Sequence, residues 1–177
     1  MEYIMRTSRL GLRRWKESDL EPFAEMNMNP EVMKYFPSTL TVEESNSLVE
    51  RINEHFDKHG FGLWAVELLE SKEFIGFIGL KIPGFEAEFT PCVEIGWRLS
   101  NEFWGNGYAT EGAKACLDYA FTDLGISEIV SFTAVLNKPS MRVMEKLGMN
   151  YEGEFLHPKL DENHPLCKHV LYKIIKK

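Results

Sequence analysis

Residues Trp104 to Thr110 read WGNGYAT, and this stretch joins a strand-like run to a helix-like run. The run before it, Cys92 to Leu99 (CVEIGWRL), has the apolar, β-branched character of a strand. The run after it, from about Ala109 to Asp123, places Ala113, Cys116, Leu117, Ala120 and Phe121 on one helical face before Leu124-Gly125 closes it. Gly105 and Gly107 let the backbone approach a ligand and turn several N–H groups into one concavity. The start of the helix adds partial positive charge. A phosphate or pyrophosphate fits such a loop without help from Lys or Arg. On glycine spacing alone, a ligand-free tight turn is an equal reading. A dinucleotide fingerprint is disfavoured, because Thr110 stands where the third glycine belongs. The segment Ser100 to Trp104 also separates the strand from Gly105, whereas such fingerprints follow their strand tightly.

Downstream, Ile126 to Val135 reads as another strand and leads directly into NKPSMRVMEKLGM, Asn137 to Met149. Asn137 suits a helix cap or a bond to a ligand amide, Ser140 falls in the first turn with its hydroxyl free, and Gly148 is a natural C′ residue. Asn150 to Phe155 and Lys168 to Ile174 complete the strands. Upstream, Gly62 to Leu68 and Phe74 to Leu80 flank a hairpin-length connection. Arg9 to Arg14 alternates as an edge-type strand would. Ser18 to Glu21 has the pattern of a capping box opening a helix to about Asn27, and Met28 to Leu40 is broken by prolines. Thr41 to Glu44 is a second capping box, and the helix it opens ends at Gly60. No linker or repeat divides the chain, so residues 1–177 are read as one domain. The element order predicts an α/β or α+β domain with a mixed central sheet.

The 177 residues carry 27 acidic and 20 basic side chains, a net charge of −7. That balance argues against nucleic acid and against an anionic membrane as partners. Cys92, Cys116 and Cys167 are scattered and form no CxxC pair, which reads as buried, reduced thiols in a cytoplasmic protein. The longest apolar stretch, Phe74 to Leu80, is too short to span a bilayer, and no N-terminal run resembles a signal peptide. His55 and His59 have the i, i+4 spacing of two zinc ligands, but no third ligand accompanies them, so no metal is expected.

The Gly-rich loop followed by a strand and an Asn-x-x-Ser helix resembles the GNAT family of acyl-CoA N-acyltransferases. The blocks TSRLGLRRW (Thr7 to Trp15), EIGWRL (Glu94 to Leu99), FWGNGYATEG (Phe103 to Gly112) and NKPSMRVMEKLGM resemble its RimJ/RimL-type, ribosomal-protein branch more narrowly. The resemblance implies a mixed, mostly antiparallel sheet, flanked by helices, whose two parallel middle strands splay apart to admit acetyl-CoA. It implies transfer of an acetyl group to a primary amine by direct attack through a tetrahedral intermediate. The acceptor is then an N-terminal α-amine of a protein, or a small amine, polyamine, amino acid or antibiotic. A CoA-binding sensor without turnover is the alternative from another class. Monomer and homodimer both remain open.

The family's pyrophosphate motif, Arg/Gln-x-x-Gly-x-Gly/Ala, maps onto Trp104, Gly107 and Ala109, with Trp104 in place of the basic or amide residue. Cofactor contacts are then expected from the backbone of Gly105, Asn106, Gly107, Tyr108, Ala109 and Thr110. The main chain of Trp97, Arg98 and Leu99 should pair with the pantetheine arm, and Asn137 and Arg142 should contribute side chains. Aminolysis of a thioester needs a base, an oxyanion donor and an acid for the leaving thiolate. Met144 occupies the position where many family members carry a tyrosine acid, so Ser140 is assigned that role and a backbone N–H near Leu99 the oxyanion. Glu94 is the candidate base, with an ion pair or an ammonium anchor as its other readings. The loops Met28 to Leu40 and Phe155 to Leu166, with Tyr35, Phe36, Phe85 and Phe89, are the expected walls of the acceptor pocket.

Overall fold

The computed structural model describes residues 2–177. Its elements are β1 (Met5–Arg6), β2 (Leu10–Arg13), α1 (Leu20–Met28), α2 (Val42–His59), β3 (Leu63–Leu68), β4 (Phe74–Lys81), β5 (Glu94–Leu99), α3 (Tyr108–Thr122), β6 (Glu128–Ala134), α4 (Lys138–Lys146), β7 (Asn150–Leu156) and β8 (Lys168–Ile175). They form one eight-stranded sheet in the order β1-β2-β3-β4-β5-β6-β8-β7. Neighbours run antiparallel except β5 and β6, which run parallel. This is the mixed α+β architecture that the element order predicts.

The parallel pair determines where a ligand can enter. It holds a single register pair, Glu94 with Val130, fastened by the Val130 N–H donating to the Val93 carbonyl at 2.9 Å. The Ser131 hydroxyl adds a buried bond to the Ile95 carbonyl at 2.9 Å. Beyond it the two strands part. Adjacent β4 residues show which helix covers which face, because side chains alternate along a strand. Phe77 meets Phe23 of α1 at 5.9 Å between centroids. Ile78 points the other way, against α3, where Gly112 has no Cβ; one built there would lie 2.4 Å from the Ile78 Cδ1.

Two local expectations are corrected. The Arg9 to Arg14 strand is not an edge: β1 pairs outside it, and all four residues of β2 are buried. The first capping box is not Ser18 to Glu21. Asp19 is drawn instead into a buried bidentate pair with Arg13, at 2.7 and 2.9 Å, and also accepts the Lys16 N–H at 2.8 Å. The chain therefore makes a 3-10 turn over Glu17–Asp19 before α1 begins. Glu67 completes this cluster, bonded to Arg13 at 2.7 Å and to the Tyr3 hydroxyl. Burial alone pushes the Glu67 pKa up, but the bonds from Tyr3 and Arg13 outweigh it and hold the carboxyl below its usual range. The second capping box forms as expected, Thr41 accepting the Glu44 N–H and Glu44 accepting the Thr41 N–H.

Candidate active site

The loop that opens α3 is shaped by two left-handed glycines, Gly105 (φ 77°) and Gly107 (φ 79°), on either side of Asn106. Such alternation turns consecutive N–H groups toward one concavity. The first helical N–H groups, those of Tyr108, Ala109 and Thr110, have no intrahelical partner by the geometry of any helix start. Asn106 folds its amide back onto the carbonyls of Phe103 and Trp104 at 3.1 and 3.2 Å, so its side chain braces the loop. Trp104 donates its indole N–H to the Leu99 carbonyl at 2.9 Å and ties the loop to the end of β5. A residue type that cannot bind phosphate by charge thus fixes the loop that can do so by backbone.

Sequence reasoning missed the brace from the other end of the chain. Arg9 donates to the Asn106 carbonyl at 3.0 Å and to Glu111 at 2.7 Å, with its guanidinium over the Tyr108 ring at 4.5 Å. The Thr7 hydroxyl reaches Glu111 at 2.5 Å. Burial would raise the Glu111 pKa, but the bonds from Thr7 and Arg9 prevail and keep it low. Only the quoted blocks TSRL and ATEG carried a trace of this contact, which spans about a hundred residues of sequence.

Main-chain directions along β5 alternate. Ser100 N–H turns to the Ile75 carbonyl of the β4 side, while the carbonyls of Val93 and Ile95 take bonds from β6. By the same alternation the N–H groups of Trp97 and Leu99 face the widening gap. Arg98 stands between them with its main chain turned to β4 and its side chain on the α1 face. The main-chain N–H groups of Trp97 and Leu99 therefore line the gap.

Across the gap, Asn137 caps α4, accepting the Ser140 N–H at 3.3 Å and donating to the Thr133 hydroxyl at 2.9 Å. Both ends of its amide are engaged, so a pantetheine bond there requires exchange of one partner. Ser140 is half-buried in the first turn and Arg142 is exposed on the next. Met144 is buried at 1% exposure and belongs to the core.

The α1 face of β4 and β5 carries the remaining chemistry. Opposed pairs Phe77–Arg98, Gly79–Gly96 and Lys81–Glu94 set these residues on one face. Glu94 is 6% exposed, and burial pushes its pKa up despite the opposing charge of Lys81. Lys81 Nζ lies 3.4 Å from Oε2, close enough to pair charge but not aligned to hydrogen-bond, and Oε2 has no hydrogen-bond partner. Arg98 donates from Nη1 to Asn27 at 2.7 Å and stacks on Phe36 and Phe77 at 4.3 and 5.3 Å. Asn27 also donates to Ser45 of α2 at 2.9 Å, so one buried amide ties both helices to Arg98.

The expected pocket walls divide. Phe36 joins Arg98, whereas Phe85 and Phe89 stack with Phe132 and Phe155 near His157 and His169. Tyr35 joins neither group, and its ring is met by Lys34 at 5.7 Å. Burial pushes the His157 imidazole down to about 4 and lowers His169 too, so both are neutral near pH 7. Beside this cluster runs a groove of about 740 Å³ lined by Glu86, Glu88, Glu128, Glu152, Glu154 and Lys173, among others. His55 is no zinc ligand, since its two ring nitrogens meet the Phe61 carbonyl at 2.9 Å and the Ile82 N–H at 3.0 Å. Among the described residues no three His, Cys, Asp or Glu side chains are grouped to hold a metal ion. No helix is long and apolar enough to cross a membrane. Burial drives the Cys92 thiol up to about 11 and raises Cys116 as well, which makes both poor nucleophiles.

The comparisons with known proteins agree with this geometry. Residues 9–150 match the family model for an acetyltransferase (GNAT) domain. The chain is 33% identical to the Bacillus subtilis protein YkkB over 82% of its length and 84% of that protein's. Its fold superposes on a GNAT-family acetyltransferase from Bacillus anthracis with a TM-score of 0.79 and 28% identity, covering 97% of each chain. It also superposes on spermidine N-acetyltransferase from Vibrio cholerae, solved in complex with CoA and spermine, with a TM-score of 0.75 and 26% identity over 96% of each chain. A parallel pair joined at one register position, a glycine loop tied to the end of its first strand and a family match across most of the chain have one meaning: the protein belongs to the GNAT family and is an acetyl-CoA-dependent N-acetyltransferase.

Proposed function

We propose that the chain acetylates a primary amine by direct attack on acetyl-CoA, with the thioester lying over Gly96 between β5 and β6. The observation that supports this most is the strand parting after Glu94 and Val130, with free main-chain N–H groups at Trp97 and Leu99 on one side and Ser140 on the other. The amine lies on the α1 face and gives its proton toward Glu94, directly or through water. A carboxylate whose pKa is raised by burial is suited to that transfer near neutral pH. The new N–C bond forms as the carbonyl oxygen gains charge, and the Trp97 N–H, which faces the gap beside Gly96, is placed to bond it, leaving Leu99, three residues beyond Gly96, to the pantetheine. Collapse breaks the C–S bond, and the Ser140 hydroxyl supplies the proton or hydrogen bond to the departing thiolate. No protein nucleophile takes part, in keeping with the suppressed thiols.

The resemblance to the ribosomal-protein branch implies a protein N-terminal α-amine as acceptor. Burial of Glu94 favours a small amine instead, because a compact ammonium reaches an enclosed carboxylate more easily than a peptide end does. A screen of small amines and N-terminal peptides with acetyl-CoA, read by release of free thiol, distinguishes these. Thiol release with an amine and none without it is the expected result. CoA binding with no release for any amine would favour a sensor. Ser140→Ala should lower turnover about 10²-fold with acetyl-CoA affinity near wild type. Unchanged turnover would remove Ser140 from the mechanism. Glu94→Gln should abolish the acidic limb of the pH–rate profile while leaving amine affinity in place. An intact limb with weakened amine binding would make Glu94 an anchor.

A further inference from the structure

Gly96 leaves a floor without side chains on the α1 face of β5. A Cβ built there would meet nothing nearer than the Glu94 Oε1, 3.9 Å away. The residues on either side of this floor are the two charged side chains, among the described residues, that hold a buried polar atom without a hydrogen-bond partner. On one side the Glu94 Oε2 is buried without a hydrogen-bond partner. On the other the Arg98 Nε is buried without one, and Nη1 is its only bonded nitrogen. No carboxylate among the described residues pairs with the half-buried Arg98, whereas the fully buried Arg13 has two. Burial lowers the Arg98 pKa to about 10, with no acidic neighbour to restore it.

Charged groups that keep a buried, unbonded polar atom are costly and seldom kept without a use. The phenyl rings of Phe36 and Phe77 fix the guanidinium plane, and Asn27 fixes one edge of it. What remains is the Nε and Nη2 edge, the side of a guanidinium that suits a planar carboxylate. Alternate residues on a strand face stand about 6–7 Å apart, so Arg98 lies that far from the floor and Glu94 lies that far on its other side. An acceptor whose amine rests over Gly96 toward Glu94 can therefore carry an anion to Arg98.

Resting on the acetyl-transfer reading above, we propose that the acceptor is an amine that also bears a carboxylate, of the amino-acid class, and that Arg98 is the residue that selects for that carboxylate. The acidic groove nearby does not conflict with this, since it attracts the ammonium end. Simple polyamines would leave Arg98 unpaired and be poorer acceptors.

The test uses matched pairs on the CoA-loaded protein: α- and ω-amino acids against their decarboxylated counterparts, for example lysine against 1,5-diaminopentane and 4-aminobutyrate against propylamine. Binding is measured by calorimetry and thiol release with acetyl-CoA in parallel. The wild type should favour at least one amino acid over its amine by about ten- to hundredfold in affinity, as a charged hydrogen bond warrants. Arg98→Gln should reduce that ratio to near one, and Arg98→Lys should retain part of it. Because the ratio is taken within each variant, a general loss of stability cancels. No preference in the wild type for any pair, or a preference that survives in Arg98→Gln, overturns the inference. A preference in binding that vanishes in Arg98→Gln, without thiol release, supports the subsite and overturns acetyl transfer.

Discussion

The two halves of the proposed active site are built on different principles. The cofactor half is local: Trp104 to Thr110 is one stretch of chain, two glycines shape it, and the groups it presents are main-chain N–H. The acceptor half is assembled from Asn27, Phe36, Lys81, Glu94 and Arg98, which come from α1, a loop and two strands. Its specificity rests on side chains held by distant partners. A backbone site tolerates an acidic protein and a changed motif residue, whereas a side-chain site is altered by any one replacement.

That difference predicts where substitutions act. The largest effect should come from Arg13, whose pair with Asp19 fixes the turn into α1 and so the roof of the acceptor half. Arg13→Met leaves Asp19 buried without a charge partner and Glu67 with Lys16 alone, and should cost about 3–5 kcal/mol in denaturant unfolding. An effect below 1 kcal/mol would show that the cluster is dispensable.

Gly107→Val should act on the other half alone. A β-branched residue at φ 79° is strained by about 1–2 kcal/mol and crowds the anion loop. Acetyl-CoA affinity should fall about tenfold, with the ranking of acceptor amines unchanged. A changed ranking would mean that the halves are coupled. Arg9→Ala, which removes the brace but none of the N–H groups, should raise the KM for acetyl-CoA by only a few-fold, as the loss of a half-exposed contact warrants.

The smallest effect is on stability against pH. The pKa values of His55, His157 and His169 are lowered in the folded chain, so the unfolded state binds more protons as pH falls. Their contribution is whole above about pH 6.5, the usual histidine value, and is lost progressively as pH drops toward 4. The denaturant midpoint should decline from pH 7 to pH 5, and His157→Gln should flatten that decline. Equal slopes in the two proteins would exclude His157 as a contributor.

Legibility in the sequence followed the same division. The glycine turn into α3, the α4 cap and the hairpin were readable because glycine spacing, Asn137 and the turn length act over a few residues. Glu94 was readable as a polar residue in an apolar strand. Arg98 was placed by its neighbours Trp97 and Leu99 in the cofactor half, yet its side chain lies on the opposite side of that strand, against Phe36. No local pattern announces that contact, nor the one between Arg9 and Glu111. Ser18 misled for a related reason: its capping pattern was sound locally, but Asp19 was claimed by Arg13 and Lys16.

The central claim is that an amine held in one half attacks a thioester held in the other, with no acetylated protein between. Initial velocities measured while acetyl-CoA and an accepted amine are both varied test it most directly. Direct attack requires a ternary complex and predicts intersecting double-reciprocal lines. Parallel lines, with an acetyl group found on Cys92, Cys116 or Cys167, would contradict it.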